Sequence, residues 1–421
     1  MKTWLTYLAA AAMGIAFELT FRNSAAFLWG MTFISKIVLR LGVFIVFPLA
    51  FFSMAAGTAS LSRKRGNGNF VIISSVLWAA LSTIVLSFVA TLIFRAFPAA
   101  FPVTSTVPGN AGQAASLYEN LAGSFVSRLY AANPFTFNAF SDFIKSGECL
   151  IPIVFLALIF GYAVRPTSEI IRPAYITLNS LSEAMFRLAR KVSQLLWVAV
   201  FFLSGTWLET ILTDGTVFVS WRFMVLLFAL CILVLFGLIP LLYALCTGFR
   251  RNPYRQILRL FSSAVASFVS GNYLFCQSTL YTDCRINLGI QKNVVSTALP
   301  LHSILTKGGS ALVSTVCTCA FIAAKTGVVP TVVQMVTIAF ACTLVSFVCC
   351  LHAGYEVLFV TAFALRLLNI DISGSEFAII GLLPLLNGIA LLFDVLLSGL
   401  GTSFTAYYLN ADCNVRNGDT V

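Results

Sequence analysis

The strongest constraint on this chain is a break inside an apolar span. The segment Ala298-Leu-Pro-Leu-His-Ser-Ile-Leu-Thr-Lys-Gly-Gly-Ser-Ala-Leu312 sets Lys307 among polar residues and glycines, with hydrophobic sequence on either side. In hydrocarbon every backbone N–H and C=O must be bonded internally, so a Gly-Gly interruption is tolerable only where it is buried in protein or lines a cavity. An ammonium at mid-span costs several kcal/mol, which makes Lys307 a candidate functional residue. The plainer alternative is a lysine near a helix end that snorkels to water.

Such a break has this meaning only in a membrane protein, and composition supplies that condition. Of 421 residues, 59% are hydrophobic and 10% charged, against roughly 25% charged in a soluble domain. About 20 apolar residues cross a bilayer as a helix. Runs of that kind fall near 4–21, 38–57, 70–97, 150–164, 192–213, 223–246, 311–351 and 376–409. Lys2 ahead of the first run resembles a signal peptide, but the many later spans favour a retained first helix.

The net charge of +11 is no nucleic-acid signature, because the cations cluster beside the spans and report orientation. Arg63-Lys64-Arg65, Arg165 with Arg172, and Arg250, Arg251 and Arg255 should be cytoplasmic, and the loops 99–122 and 213–217 carry almost no Lys or Arg. This places both termini inside. Eleven cysteines, mostly in apolar segments and without metal-ligand spacing, give no disulfide framework. Cys349 and Cys350 adjoin and read as small apolar residues.

Irregularity concentrates in the second half. Residues 172–191 form an amphipathic basic stretch suited to a membrane surface. Two later segments, 257–291 and 331–369, are apolar at both ends and small or polar in the middle, and read as re-entrant hairpins. Ala266-Ser-Phe-Val-Ser-Gly271 and Val345-Ser-Phe-Val-Cys-Cys350 echo each other, as an inverted repeat would leave them; so short an echo also arises by chance. In the last span Asn387, Asp394, Ser398, Gly401, Thr402 and Thr405 share one face of a 3.6-residue helix. A packing seam would explain its hydroxyls and glycine. It leaves Asp394 unexplained, and Lys307 is the expected counter-ion.

These residues carry a resemblance. Val38-Leu-Arg-Leu-Gly-Val-Phe-Ile-Val-Phe-Pro-Leu49 with Ala56-Gly-Thr-Ala-Ser60, Asn133-Pro134-Phe135, Ile159-Phe-Gly161, Leu181-Ser-Glu-Ala-Met185, Ala298-Leu-Pro-Leu301 and Gly309-Ser-Ala-Leu312 are similar to the dicarboxylate/amino acid:cation symporter family. The similarity spans nearly the whole length. It implies an all-α polytopic membrane protein of eight transmembrane helices plus two re-entrant hairpins, with inverted repeats and an elevator fold. By that resemblance 1–66 (spans 1 and 2) and 123–213 (spans 4 and 5) form a trimerising scaffold. Residues 67–122 (span 3 and a loop) and 214–421 (span 6, both hairpins, spans 7 and 8) form the moving domain. The implied setting is a cell inner membrane, with a small organic solute and the lipid bilayer as partners, and no cofactor, metal or nucleic acid.

The chain departs from the family pattern where ions and substrate would bind. The family's Asn-Met-Asp-Gly-Thr motif reads Thr306-Lys307-Gly308-Gly309-Ser310, so a carboxylate is lost and a cation gained. Aligned positions imply a solute site at Tyr273, Leu274, Phe275, Ser310, His352, Gly354, Leu391, Asp394, Val395 and Ser398. Ion-site positions or their replacements are Ser82, Thr83, Thr306, Lys307, Gly308, Ser398 and Thr402. The substrate-amine aspartate falls on Leu391, the side-chain-carboxylate arginine on Asp394, and the last sodium asparagine and aspartate on Ser398 and Thr402. Sodium prefers hard oxygen ligands, and bidentate carboxylate recognition leans on arginine. Their loss argues against sodium coupling and against an acidic side chain as substrate, with Lys307 as a tethered cation paired to Asp394 or to a substrate carboxylate; a neutral or amine-bearing solute fits better if Asp394 faces the pocket.

Secondary assignments are plainer. His302 and His352 are proton relays or structural histidines; Glu356 is a proton carrier or, in the preferred reading, a solvated tip residue; Asp283 and Arg285 are expected to form a local interfacial pair. The Ser82-Thr83 hydroxyls match a family pair but also suit bonds to their own helix. The leading reading is an elevator transporter of an amino acid or dicarboxylate-class solute. Alternatives are a sodium- or proton-coupled glutamate, aspartate or dicarboxylate symporter with rearranged ligands, an uncoupled channel, or a solute sensor. No nucleophile with a paired base, metal cluster or phosphate loop points to an enzyme.

Overall fold

The structure is a computed structural model and describes residues 3–21, 24–61, 67–99, 150–166, 169–214, 221–348, 356–368 and 376–411. The Arg63-Lys64-Arg65 cluster, Asn133-Pro134-Phe135, Cys349, Cys350, His352 and Gly354 lie outside them. Helices α1 (Thr3–Phe21), α2 (Ala25–Leu61), α3 (Asn67–Ala96), α4 (Ile151–Ala163) and α5 (Arg172–Asp214) make up the first half. The amphipathic 172–191 stretch is the start of α5 and runs straight into its apolar part without a break. The sixth apolar run is α6 (Trp221–Leu233), a π-helical turn at Val234–Leu238, and α7 (Ile239–Cys246).

Both broken segments are helical hairpins. In the first, Asn252 caps α8 (Pro253–Ser270) by accepting from the N–H groups of Tyr254 and Arg255, and Pro253 at the first position loses no helical bond. Gly271 ends α8 with φ 59°, a left-handed conformation that costs glycine least, and Asn272 caps α9 (Tyr273–Thr282) through Leu274 N. A two-residue tip at Gly271-Asn272 therefore reverses the chain. The second hairpin pairs α12 (Val332–Val348) with α13 (Glu356–Leu367). The first echo ends α8, and the described part of the second, Val345–Val348, forms the last residues of α12.

Between the hairpins lies the broken span. Helix α10 (Lys292–Leu305) stops at Thr306-Lys307, and α11 (Gly308–Thr326) starts immediately after. The last helix, α14 (Glu376–Tyr408), runs beside it. Among the described residues, seven helical stretches are long and apolar enough to cross a membrane. Helix α4, at the expected fourth span, has 13 described residues, and the residues before 150 lie outside the described ones.

Packing makes two groups. Helices α1, α2, α4 and α5 pack on one another, while α3, α12, α13 and α14 gather round the broken α10–α11 span. They meet where α2 packs against α9 and α10, and α5 against α9. Large apolar side chains such as Trp29, Phe44, Leu77, Leu92, Phe155, Leu195 and Phe228 are exposed at the periphery, the surface a bilayer requires. Polar side chains are instead collected inside, among them Lys307, Glu356, Asp394, Asp283 and His302.

Candidate functional site

The break in the α10–α11 span leaves the first N–H groups of α11 without helical partners and puts a positive dipole end in the protein interior. The carboxylate of Asp394, from the middle of α14, answers both needs. Its Oδ1 accepts from Gly309 N at 2.7 Å, and Ser310 N approaches Oδ1 and Oδ2 at 3.4 and 3.3 Å. The approach requires glycine: a Cβ on Gly309 would sit 2.1 Å from the carbonyl oxygen of Ala390 in α14.

Lys307 stands at the N-cap position of α11 with its side chain buried. Its Nζ donates to Glu356 Oε1 at 2.6 Å and lies 5.3 Å from the centre of the Tyr273 ring. The ion pair of Lys307 is thus with Glu356 and not with Asp394, the partner expected from sequence. Glu356, expected as a solvated tip residue, is 4% exposed. It is the first residue of α13, where a carboxylate also meets a helix N-terminus. Ser310 joins the two acids, its Oγ 2.9 Å from Glu356 Oε2 and 2.6 Å from Asp394 Oδ2. Asn387, one polar position earlier on α14, accepts from Val357 N at 3.2 Å and so holds the start of α13.

The other predicted positions divide. Tyr273 is buried beneath Lys307 and donates to Ser303 Oγ at 3.3 Å. Leu274 and Phe275 belong to the interface with α2 instead: Leu274 joins Val46, Ala50 and Met54 in an apolar cluster, and the Phe275 ring fills the space a Cβ on Gly42 would take. Leu391 and Val395 are apolar core. The Ser398 and Thr402 hydroxyls bond back to Asp394 O and Ser398 O on their own helix, at 2.7 and 2.9 Å. Ser82 and Thr83 likewise bond to Ala79 O, the local alternative. Gly308 packs against Leu397 and the backbone of Ser82. His302 is fully buried, with Nδ1 3.2 Å from Thr306 Oγ1 and its ring against Gly401.

A second buried acid has partners that were not foreseen. Asp283 does not pair with Arg285; its Oδ2 accepts from Ser262 Oγ at 2.7 Å and Ser263 N at 3.2 Å, and its Oδ1 from Asn287 Nδ2 at 2.8 Å. Arg285 reaches across to Glu183 on α5 at 3.0 Å, and Lys292 joins at 3.2 Å. The adjacent Ser262-Ser263, one hairpin arm away from Asp283, was the available signal for the first set; Glu183 stood out in the sequence only within Leu181-Ser-Glu-Ala-Met185, with no partner indicated. A cavity of about 550 Å³ lies between α2, α5, the Gly271-Asn272 tip and α14, with Lys36, Arg40, Thr206, Ser270, Asn272 and Asn387 in its wall.

A helix broken at a buried ammonium, flanked by two helical hairpins inside an apolar shell, is the architecture of a membrane transporter. The chain belongs to the sodium:dicarboxylate symporter family, whose sequence profile matches residues 3–396. A search of curated proteins returns no match.

Proposed function

We propose that the protein is a secondary transporter that carries a small organic solute, of the amino acid or dicarboxylate class, without sodium as the coupled ion and without specificity for acidic side chains. One observation carries the reading: the family motif's carboxylate position is Gly308, and Lys307 just before it puts an ammonium 2.6 Å from Glu356 at the break of the span. An ammonium there satisfies the acid that a bound cation would otherwise meet. The acid at the family's arginine position, Asp394, is spent on the N-terminus of α11, which leaves no guanidinium at that place to clamp a second carboxylate. The open cavity is of a size suited to a small ligand. It touches Asn387, which in turn holds the helix that begins at Glu356.

The same reading takes the α1, α2, α4 and α5 group as a scaffold, and the remainder as a domain that carries solute across by an elevator movement. It includes re-entrant hairpins, a trimer, an inner-membrane setting and cytoplasmic termini. The support is the packing into two groups and the charge clusters beside the spans.

Thermal stability of the purified protein tests it, with neutral, cationic and acidic amino acids and dicarboxylates as ligands, each in sodium and in a bulky inert cation. Ligand at about 100 times its Kd adds roughly 2.7 kcal/mol. The expected result is stabilisation of equal size in both salts by a neutral or amine-bearing solute, with transport lost in Lys307→Met. Stabilisation by an acidic amino acid in sodium alone would overturn the reading.

A further inference from the structure

The cluster at the break has one more short oxygen–oxygen contact than its visible donors can fill. Ser310 Oγ lies within hydrogen-bond distance of two carboxylate oxygens, Glu356 Oε2 at 2.9 Å and Asp394 Oδ2 at 2.6 Å. A hydroxyl has a single hydrogen, and an ionised carboxylate only accepts. Ser310 can donate to one acid; toward the other it can only accept, so that acid must bring a hydrogen of its own. The nearby N–H groups put no hydrogen between these oxygens: Lys307 Nζ points to Glu356 Oε1, Gly309 N to Asp394 Oδ1, and Ser310 N to Asp394 Oδ1 and Oδ2 at 3.4 and 3.3 Å.

We infer that Glu356, Ser310 and Asp394 form a single-proton site, in which one proton is shared between the two acids through the serine hydroxyl and Lys307 balances the one remaining negative charge. The exchange conserves atoms and charge. When the acid hydrogen of Glu356 passes to Ser310 Oγ, the serine hydrogen passes to Asp394 Oδ2, and the reverse step restores the first state. Loaded, the cluster is neutral; stripped of its proton it carries one net negative charge in a buried place, where an unbalanced charge is costly. The loaded cluster is therefore the form suited to crossing hydrocarbon, and the proton is the cation this transporter exchanges. This rests on the transporter reading above.

Other polar groups lie near the cluster on α9 and α14. Tyr273 lies beneath Lys307 on α9, with Cys276 one turn further and donating to Tyr273 O. Asn387 of α14 bonds Val357 N next to Glu356, while His302 of α10 pairs with Thr306 and sets its ring against Gly401. Asp283, the other buried acid, belongs to the separate set with Ser262, Ser263 and Asn287.

Infrared difference spectroscopy of the ligand-free full chain in lipid, in light and heavy water, reads the proton directly. The expected result is a carbonyl band of a protonated carboxylic acid at neutral pH that is lost in Glu356→Gln and in Asp394→Asn, and kept in Asp283→Asn. Ser310→Ala, which retains both acids, should shift the band in frequency. Difference spectra in which Glu356→Gln and Asp394→Asn each remove ionised carboxylate bands, and no acid band, would overturn the inference. If neither variant folds, an Asp283→Asn protein with no acid band overturns it equally. The outcome is independent of the salt test above: sodium-dependent stabilisation with the band present refutes sodium independence alone, and sodium-independent stabilisation without the band refutes the proton site alone.

Discussion

Helix α3 and the broken α10–α11 span are both long and apolar, yet an 18-residue apolar window is 44% buried in the first and 94% buried in the second. Helix α3 turns Ile73, Leu77, Ile84 and Leu92 outward, and uses Ser74 and Trp78 on its inner face to bond Thr405 and Leu397 O of α14. On the broken span nearly every position meets another part of the chain, and its glycines are sites of helix contact. Apolar composition alone therefore says little about what a membrane helix does. Against lipid, an apolar side chain has no competitor for its place. Inside the protein, each has a defined neighbour, and polar groups survive because other chain segments satisfy them.

Substitutions can break or sharpen this contrast. The largest effect is expected from Glu356→Ala, which leaves the Lys307 ammonium buried without its acid. A cost of about 3–5 kcal/mol follows, read as a fall in the thermal midpoint. Replacing both residues by methionine should recover most of the loss. Gly309→Ala comes next, at about 1–3 kcal/mol, because the new methyl group collides with the backbone of α14. Asn387→Ala should cost about 1 kcal/mol as the start of α13 loses its cap. Glu183→Gln removes two partly exposed ion pairs, from α5 to Arg285 of the first hairpin and to Lys292 at the start of α10. That change should stay below about 1 kcal/mol and shrink further with added salt. The smallest effect is expected at the periphery, where Leu92→Ala should alter stability in lipid by no more than about 0.5 kcal/mol. A Leu92→Ala penalty as large as that of Gly309→Ala would erase the contrast.

Part of the site was legible because it depends on local chemistry. Gly308 and Gly309 beside Lys307 end one helix and begin another wherever the segment sits, and the structure breaks the span at Thr306-Lys307. The hairpins expected at 257–291 and 331–369 contain the helix pairs α8–α9, separated by Gly271-Asn272, and α12–α13. The face from Asn387 to Thr405 was equally visible as a periodicity. Its partners were not: Asn387 bonds α13, Asp394 bonds α11, and Thr405 bonds Ser74 on α3. Periodicity defines a face and leaves open what lies opposite.

By itself, then, the sequence determined a helical membrane chain, the place of its break and the residues too polar for lipid, since these follow from backbone bonding and solvation along a single segment. The tertiary structure decided who neutralises whom. Lys307 and Glu356 are 49 residues apart, and Ser310 and Asp394 are 84 apart; only the packing of α11, α13 and α14 brings them within bonding distance. Electrostatics asks that every buried charge be answered, and several acids in this chain would have served. Which one answers is fixed by helix contacts that no local pattern encodes.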